Sequence, residues 1–146
     1  MRRLPSQFGS REESPGYQLW RVTHLWQRRI AEALKDLNLT HVQFVLLAVS
    51  ASLSEGEEPV NQAMIAEAAG MDKMMTSQVL RTLEEKGFLT RTRHPADARA
   101  IALTVTDAGF ETVSKAILRV EEADDLFFKP IGSEAATLAR LLNQLN

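Results

Sequence analysis

Three arginines and one histidine lie within residues 91–105, which read RTRHPADARAIALTV. Arg91 and Arg93 precede a proline-containing turn, and Arg99 follows it. A guanidinium group can form two parallel hydrogen bonds with a phosphate, and it also suits a narrow groove of strongly negative potential. The segment therefore carries the side chains expected of a hairpin that binds phosphates.

A second set of polar side chains lies on a helix predicted over residues 72–86. With about 100° of rotation per residue, Met74, Ser77, Gln78 and Arg81 share one face, and the opposite face is apolar. Two interpretations stay open from the residues alone. The polar face is either the solvated side of an amphipathic helix or a surface that contacts base edges and phosphates.

The hydrophobic spacing predicts the elements that position these side chains. Apolar residues at intervals of three and four predict a long first helix over 17–37, which Asn38 ends. Thr40 followed by Gln43 is the pattern of a capping box, so a second helix is expected to start there. Because this second helix is almost entirely apolar, we expect it at the centre of the fold.

Two short helices follow, and a hairpin comes directly after them. Asn61 is the predicted cap of the first, which Gly70 stops, and Asp72 caps the second, which Gly87 stops. The predicted strands are Phe88 to His94 and Ala100 to Val105, with the tip at Pro95 to Asp97 and with Ile101, Leu103 and Val105 facing the helices. A helix-turn-helix with such a hairpin is a winged helix.

Residues 60–109 resemble the DNA-binding part of the MarR family of bacterial transcription regulators. The likeness rests on an L-E-x-K-G segment, a D-x-R wing signature and a threonine-rich closing strand with its glycine: Leu83, Glu84, Lys86 and Gly87; Asp97 and Arg99; Thr104, Thr106 and Gly109. The resemblance implies a mainly α fold with a small β-hairpin wing. It covers roughly residues 17–146 and divides them into a DNA-binding lobe (40–106) and dimerisation helices (17–37 and 107–146). Residues 1–16 contain prolines, glycines and serines without periodicity, which predicts a flexible arm.

The resemblance also implies roles for single residues toward double-stranded DNA. Arg99 would enter the minor groove, with Asp97 ion-paired to an arginine, Arg91 or Arg93. Gln78 stands where many members have arginine, which favours adenine over guanine at that position. The full predicted contact set is Asn61, Gln62, Lys73, Met74, Ser77, Gln78, Arg81, Arg91, Arg93 and Arg99.

Apolar stripes outside the winged helix predict a homodimer. The predicted dimerisation residues are Leu19, Phe110, Val113, Ile117, Leu138, Leu141, Leu142 and Leu145. The alternative is that these helices pack only on the first helix of their own chain. A two-fold dimer would place two recognition helices about 34 Å apart on a pseudo-palindromic operator.

Members of the family commonly bind aromatic anions between the dimer helices and the DNA-binding lobe. Trp20, His24 and Arg28 recur every four residues on the first helix and combine an aromatic surface, a titratable group and a cation. This strip suits a small aromatic or anionic ligand. The alternative is that Trp20 packs in a core or dimer interface while His24 and Arg28 are solvated.

Composition argues against other classes of protein. The 146 residues include no cysteine, no glycine-rich phosphate loop and no H-E-x-x-H motif, so we expect no enzyme, no cofactor and no metal site. Without an apolar leader or a long apolar run, we expect a cytoplasmic protein with no membrane partner.

The net charge is −2, yet residues 71–106 carry six basic and four acidic residues. The acidic balance keeps one alternative open, a winged helix that binds proteins instead of DNA. Phosphate contacts would separate the two because they make binding steeply salt-dependent.

Overall fold

The computed structural model describes residues 1–2, 4–93, 96–97 and 101–146. It confirms the predicted fold class, with helices around one antiparallel hairpin. In chain order the elements are α1 (Pro15–Leu34), α2 (His41–Leu53), α3 (Gln62–Ala69), α4 (Lys73–Glu85), β1 (Leu89–Arg93), β2 (Ile101–Val105), α5 (Asp107–Phe128) and α6 (Glu134–Asn143). Short 3-10 turns lie at Arg11–Glu13, Lys35–Leu37 and Lys129–Ile131.

The first helix begins two residues earlier than Tyr17, the predicted start. The Ser14 side chain accepts a hydrogen bond from the Tyr17 backbone N–H, and Pro15 occupies the first turn, where its fixed φ and missing N–H cost nothing. A 3-10 turn at Arg11–Glu13 comes just before. The predicted flexible arm over 1–16 is therefore too long at its C-terminal end.

The caps predicted for α2, α3 and α4 are confirmed, whereas Ser133, the predicted cap of the last helix, makes no side-chain capping hydrogen bond. Thr40 and Gln43 form both hydrogen bonds of a capping box at the start of α2. The carboxamide of Asn61 and the carboxylate of Asp72 each accept a backbone N–H three residues on, at the starts of α3 and α4. Asn38 has a left-handed backbone with φ of 55°, which ends the first helical segment.

The two strands pair in the register Leu89 with Val105 and Arg91 with Leu103. The Leu103 N–H also donates to the Val60 carbonyl at 2.8 Å, so a third segment covers the outer edge of β2. Ile101 is nevertheless 49% exposed and Ala102 is buried, which is the opposite of the burial expected for these two residues. The reason is tertiary: β2 is flanked on both edges and packs on α2 and α3, whereas Ile101 lies at its outer end.

Five residues of the predicted strand ends and tip, His94, Pro95, Ala98, Arg99 and Ala100, lie outside the described residues. The predicted minor-groove contact of Arg99 falls among them.

The core runs from α1 through α2 to α5. Leu46 and Leu47 of α2 are fully buried at its centre, as the apolar composition of that helix predicted. Val113 is only 2% exposed and Ile117 packs against the same cluster. The prediction that Val113 forms a dimer surface is therefore wrong, because this side chain is already buried in the hydrophobic core of its own chain.

In the described part of the chain, no single helix has the length and apolar character needed to cross a membrane. Among the described residues, one pair of consecutive segments reaches this length and apolar character when taken together, namely Pro15–Leu37 and His41–Leu53, and the two are bent by 75° relative to each other.

Gly109 lies in the first turn of α5, where the helix packs closely against Phe88 and Val105 of the hairpin region. A β-carbon at this position would lie 2.9 Å from Val105 Cγ1 and would overlap the Phe88 carbonyl oxygen. That carbonyl accepts the Thr106 N–H at 3.0 Å, so the backbone cannot move aside without breaking a hydrogen bond. A glycine is required here because of this close approach and not because of an unusual φ.

We expect Gly109→Ala to lower the free energy of unfolding by about 1–3 kcal/mol through overpacking. Urea denaturation followed by circular dichroism measures the change. Gly16→Ala in α1 is the matched control, because the nearest atom to its β-carbon is Ser14 Oγ at 3.9 Å. Equal midpoints for the two variants would contradict the close approach at Gly109.

Candidate nucleic-acid interface

The outward face of α4 is polar, with one large and mostly exposed apolar side chain, Met74, in its first turn. Thr76, Leu80 and Leu83 are fully buried on the inner side, as the helical periodicity predicted. Met74 is 75% exposed, and Gln78 and Arg81 are also exposed. The outer face therefore offers an amide, a cation and a thioether side chain to a partner.

Helix α3 lies beside the first turn of α4. The Gln62 amide donates to the Lys73 carbonyl at 3.5 Å, and the exposed Lys73 side chain is the first of α4. Asn61 was predicted to contact DNA, but its side-chain oxygen caps α3 by accepting the Met64 N–H at 3.0 Å. Ser77 is half-buried at the edge of the face.

The hairpin is tied to α4 by an ion pair that the sequence did not reveal. Arg91 Nε lies 2.6 Å from Glu84 Oε2, and the two side chains are 27% and 24% exposed. A second nitrogen of the guanidinium, Nη2, is buried without a hydrogen-bond partner among the described residues. Arg91 thus points toward the C-terminal end of α4, whereas Arg93 is exposed on the strand.

Lys86 makes a second connection from the end of α4. Its Nζ donates to the Asn38 carbonyl at 2.6 Å and to Gln43 Oε1 at 2.8 Å. The lysine of the L-E-x-K-G segment therefore links α4 to the corner between α1 and α2. The L-E-x-K-G motif singled out Glu84 and Lys86 in the sequence, but it does not indicate which residues they contact.

An apolar groove of about 700 Å³ lies between the start of α1 and the C-terminal helices. Four of the predicted dimerisation residues on α1 and α6 line it. Leu19, Leu142 and Leu145 are exposed in the single chain, and Leu138 is half-buried. Leu141 is 46% exposed on the same helix. Phe110 is 42% exposed but lies near the start of α5 and does not line the groove.

The predicted ligand strip lies on the surface of α1. The Trp20 and His24 rings are 4.1 Å apart at their centroids, and both residues are exposed, as is Arg28. None of the three lines the groove described above or the second groove of about 490 Å³ near Leu25 and Phe127.

A different aromatic cluster joins three helices. Trp26 Nε1 of α1 donates to Asp124 Oδ1 of α5 at 2.7 Å, and the Trp26 ring meets the His41 ring of α2 edge-on at 5.0 Å. The side chains of this cluster are partly buried. Among the residues that the structure describes, no group of three histidines or acids is placed to hold a metal ion.

Known proteins are similar to this chain in sequence and in fold. A model of the MarR family matches residues 39–101. The uncharacterized HTH-type transcriptional regulator YdcH of Bacillus subtilis strain 168 is 42% identical over 123 residues, which is 84% of each chain. The chain belongs to the MarR family of transcriptional regulators.

Solved structures agree with the MarR assignment. The transcriptional repressor CouR bound to a 23-mer DNA duplex matches with a TM-score of 0.83 and 26% identity, over 98% of this chain and all of the other. CouR from Rhodococcus jostii RHA1 bound to p-coumaroyl-CoA matches with a TM-score of 0.81 and 25% identity, over 94% and 93% of the two chains. The predicted winged helix is thereby confirmed.

His41 gives this MarR-family chain a pH-dependent contribution to its stability. Burial lowers the pKa of His41 below its usual value, and the charge of Asp124 offsets part of this effect. The folded state therefore favours the neutral imidazole. Its contribution is complete above the unfolded pKa of about 6.5 and is lost as the pH falls from there toward the lower folded value.

We expect His41→Gln to remove part of the loss of stability between about pH 7 and pH 5. Urea midpoints at several pH values test this, with His24→Gln on the exposed face of α1 as the matched control. An acid sensitivity in His41→Gln equal to that of the wild type would show that another group is responsible.

Proposed function

We propose that this chain is a homodimeric repressor that binds a pseudo-palindromic operator with α4 in the major groove and the hairpin along the adjacent backbone. The observation that carries the proposal is the outer face of α4, where Gln78 and Arg81 stand exposed beside an arginine-bearing hairpin. Residues 40–106 would form the DNA-binding lobe, and 17–37 and 107–146 the dimerisation helices.

Each side chain has a role set by its position. Lys73, Arg81 and Arg93 are exposed cations suited to phosphates, and Ser77 and Gln62 can add neutral hydrogen bonds. Gln78 would pair with adenine through N6 and N7. Arg99, two residues after Asp97 in the sequence, keeps its proposed role in the minor groove.

Arg91 receives a different role from the one that the sequence suggested. Because Glu84 holds its Nε at 2.6 Å, Arg91 would position the wing against α4 instead of contacting a phosphate. A fixed distance between wing and recognition helix matters because the two elements must meet neighbouring grooves at once.

The dimer proposal rests on the apolar surface of α1 and α6. Leu19, Leu142 and Leu145 leave a connected apolar groove uncovered in the single chain, which is unusual for a soluble surface unless another molecule covers it. A second copy would bring a second α4, and two-fold symmetry matches a pseudo-palindromic site.

A small aromatic or anionic ligand would release the operator by favouring a different separation of the two α4 helices. CouR offers a parallel, because one of its structures holds p-coumaroyl-CoA and another holds DNA. Ligand binding would be transmitted between the helices better by the cluster of Trp26, His41 and Asp124, because this cluster connects α1, α2 and α5. The strip of Trp20, His24 and Arg28 lies exposed on α1.

Selection of bound fragments from genomic DNA by purified protein tests the DNA-binding proposal. We expect enrichment of a two-fold symmetric sequence whose affinity falls steeply with salt. Arg93→Gln should reduce the slope of log K against log salt by about 0.9 for each phosphate that the protein no longer neutralises. Arg91→Gln should weaken binding with the slope unchanged, since its guanidinium is held by Glu84.

Fluorescence anisotropy at four salt concentrations measures both slopes. A slope that falls equally in the two variants would place Arg91 on a phosphate and remove its positioning role. Absence of any enriched sequence together with a flat salt dependence would instead favour the protein-binding winged helix.

We expect Leu142→Glu to weaken dimer association by about tenfold or more, because the carboxylate would be desolvated in an apolar interface. Sedimentation velocity at several protein concentrations measures the association. Leu118→Glu is the control, because Leu118 is 69% exposed on α5 and lines neither groove. Equal association constants for the two variants would contradict the proposed interface.

A further inference from the structure

Met74 lies on the outward face of α4, in the first turn of the helix. Gln78 lies one turn further along the helix and Arg81 two turns further, so the three side chains form one row. The buried residues Thr76, Leu80 and Leu83 lie on the opposite side, and Met75 stands on the flank, about 100° around the helix from Met74. Met74 is 75% exposed, and Met75 is 50% exposed.

The surroundings of Met74 restrict what can cover it. Lys73 precedes it, Arg81 and Gln78 follow it in the same row, and each of these side chains is exposed. Such a surface matches a partner that carries negative charge and hydrogen-bonding groups. It does not match a broadly apolar protein surface, so the partner must supply a small apolar group among polar ones.

The major-groove edge of a base pair has such a group. Adenine, guanine and cytosine present hydrogen-bond donors and acceptors there, while thymine also presents its C5 methyl. Methionine suits contact with a methyl because its unbranched, polarizable side chain adapts to an irregular surface. The neighbouring amide of Gln78 suits adenine, which is paired with thymine in the same duplex.

We propose that Met74 is a specificity-determining residue that packs against the C5 methyl of a thymine in each operator half-site. The inference rests on the proposed function, and it adds the base chemistry that the recognition helix reads. The half-site then contains A·T pairs where Met74 and Gln78 reach the base edges. Met75, on the flank of the helix, takes no part in this contact.

Replacement of thymine by deoxyuridine removes only the methyl group and keeps the base pair. The experiment uses the full chain and the operator obtained by selection, in which each thymine of one half-site is replaced in turn and the symmetric position is replaced with it. Dissociation constants are measured for the wild type, Met74→Ala and Met75→Ala. Both methionines are exposed, so neither substitution removes core packing.

We expect one thymine position at which the wild type loses roughly three- to fivefold in affinity per methyl removed, the value of about one buried methyl group. Met74→Ala should bind the thymine and deoxyuridine operators equally at that position. Met75→Ala should discriminate between them as the wild type does.

The inference is overturned if the wild type is insensitive to every replacement, or if Met74→Ala retains the full discrimination. In both cases, specific and salt-dependent binding would leave the proposed function intact. If selection enriches no sequence at all, the DNA-binding function fails and the inference fails with it.

Discussion

Two cations connect the C-terminal end of α4 to the neighbouring elements. Arg91 pairs with Glu84 and fixes the hairpin to the helix, while Lys86 reaches the Asn38 carbonyl and the Gln43 side chain. Helix α4 is only 13 residues long, and a short helix owes its orientation to tertiary contacts more than to its own propensity. The position of its outer face relative to the wing and to α1 therefore depends on these hydrogen bonds together with the core packing of Thr76, Leu80 and Leu83.

The Gln43 side chain connects the start of α2 to the end of α4. Its Oε1 accepts the Thr40 N–H at 3.1 Å, which completes the capping box of α2, and it also accepts Lys86 Nζ at 2.8 Å. One oxygen atom thus accepts hydrogen bonds from the start of α2 and from the end of α4. If the corner between α1 and α2 moves, α4 has to move with it, or these hydrogen bonds break.

The features that sequence predicted well depend on residues close together in the chain. The caps of α2, α3 and α4 follow from a side chain and an N–H three residues apart, and the two faces of α4 follow from helical periodicity. Contacts between distant segments were not predictable in the same way. Periodicity shows that Val113 is on an apolar stripe, but it cannot show that the core of the same chain buries this residue. The same distinction applies at the candidate sites, where charge alone groups Arg91 with the other arginines although its partner Glu84 belongs to another element.

A route from α1 and α5 to α4 follows from these contacts. Trp26 connects α1 to Asp124 of α5 and to His41, the first residue of α2. Two residues further along α2, Gln43 holds Lys86 at the end of α4. A molecule that favours one arrangement of α1 against α2 would therefore also favour one position of α4, and its effect on operator affinity is limited to its difference in affinity between the two arrangements.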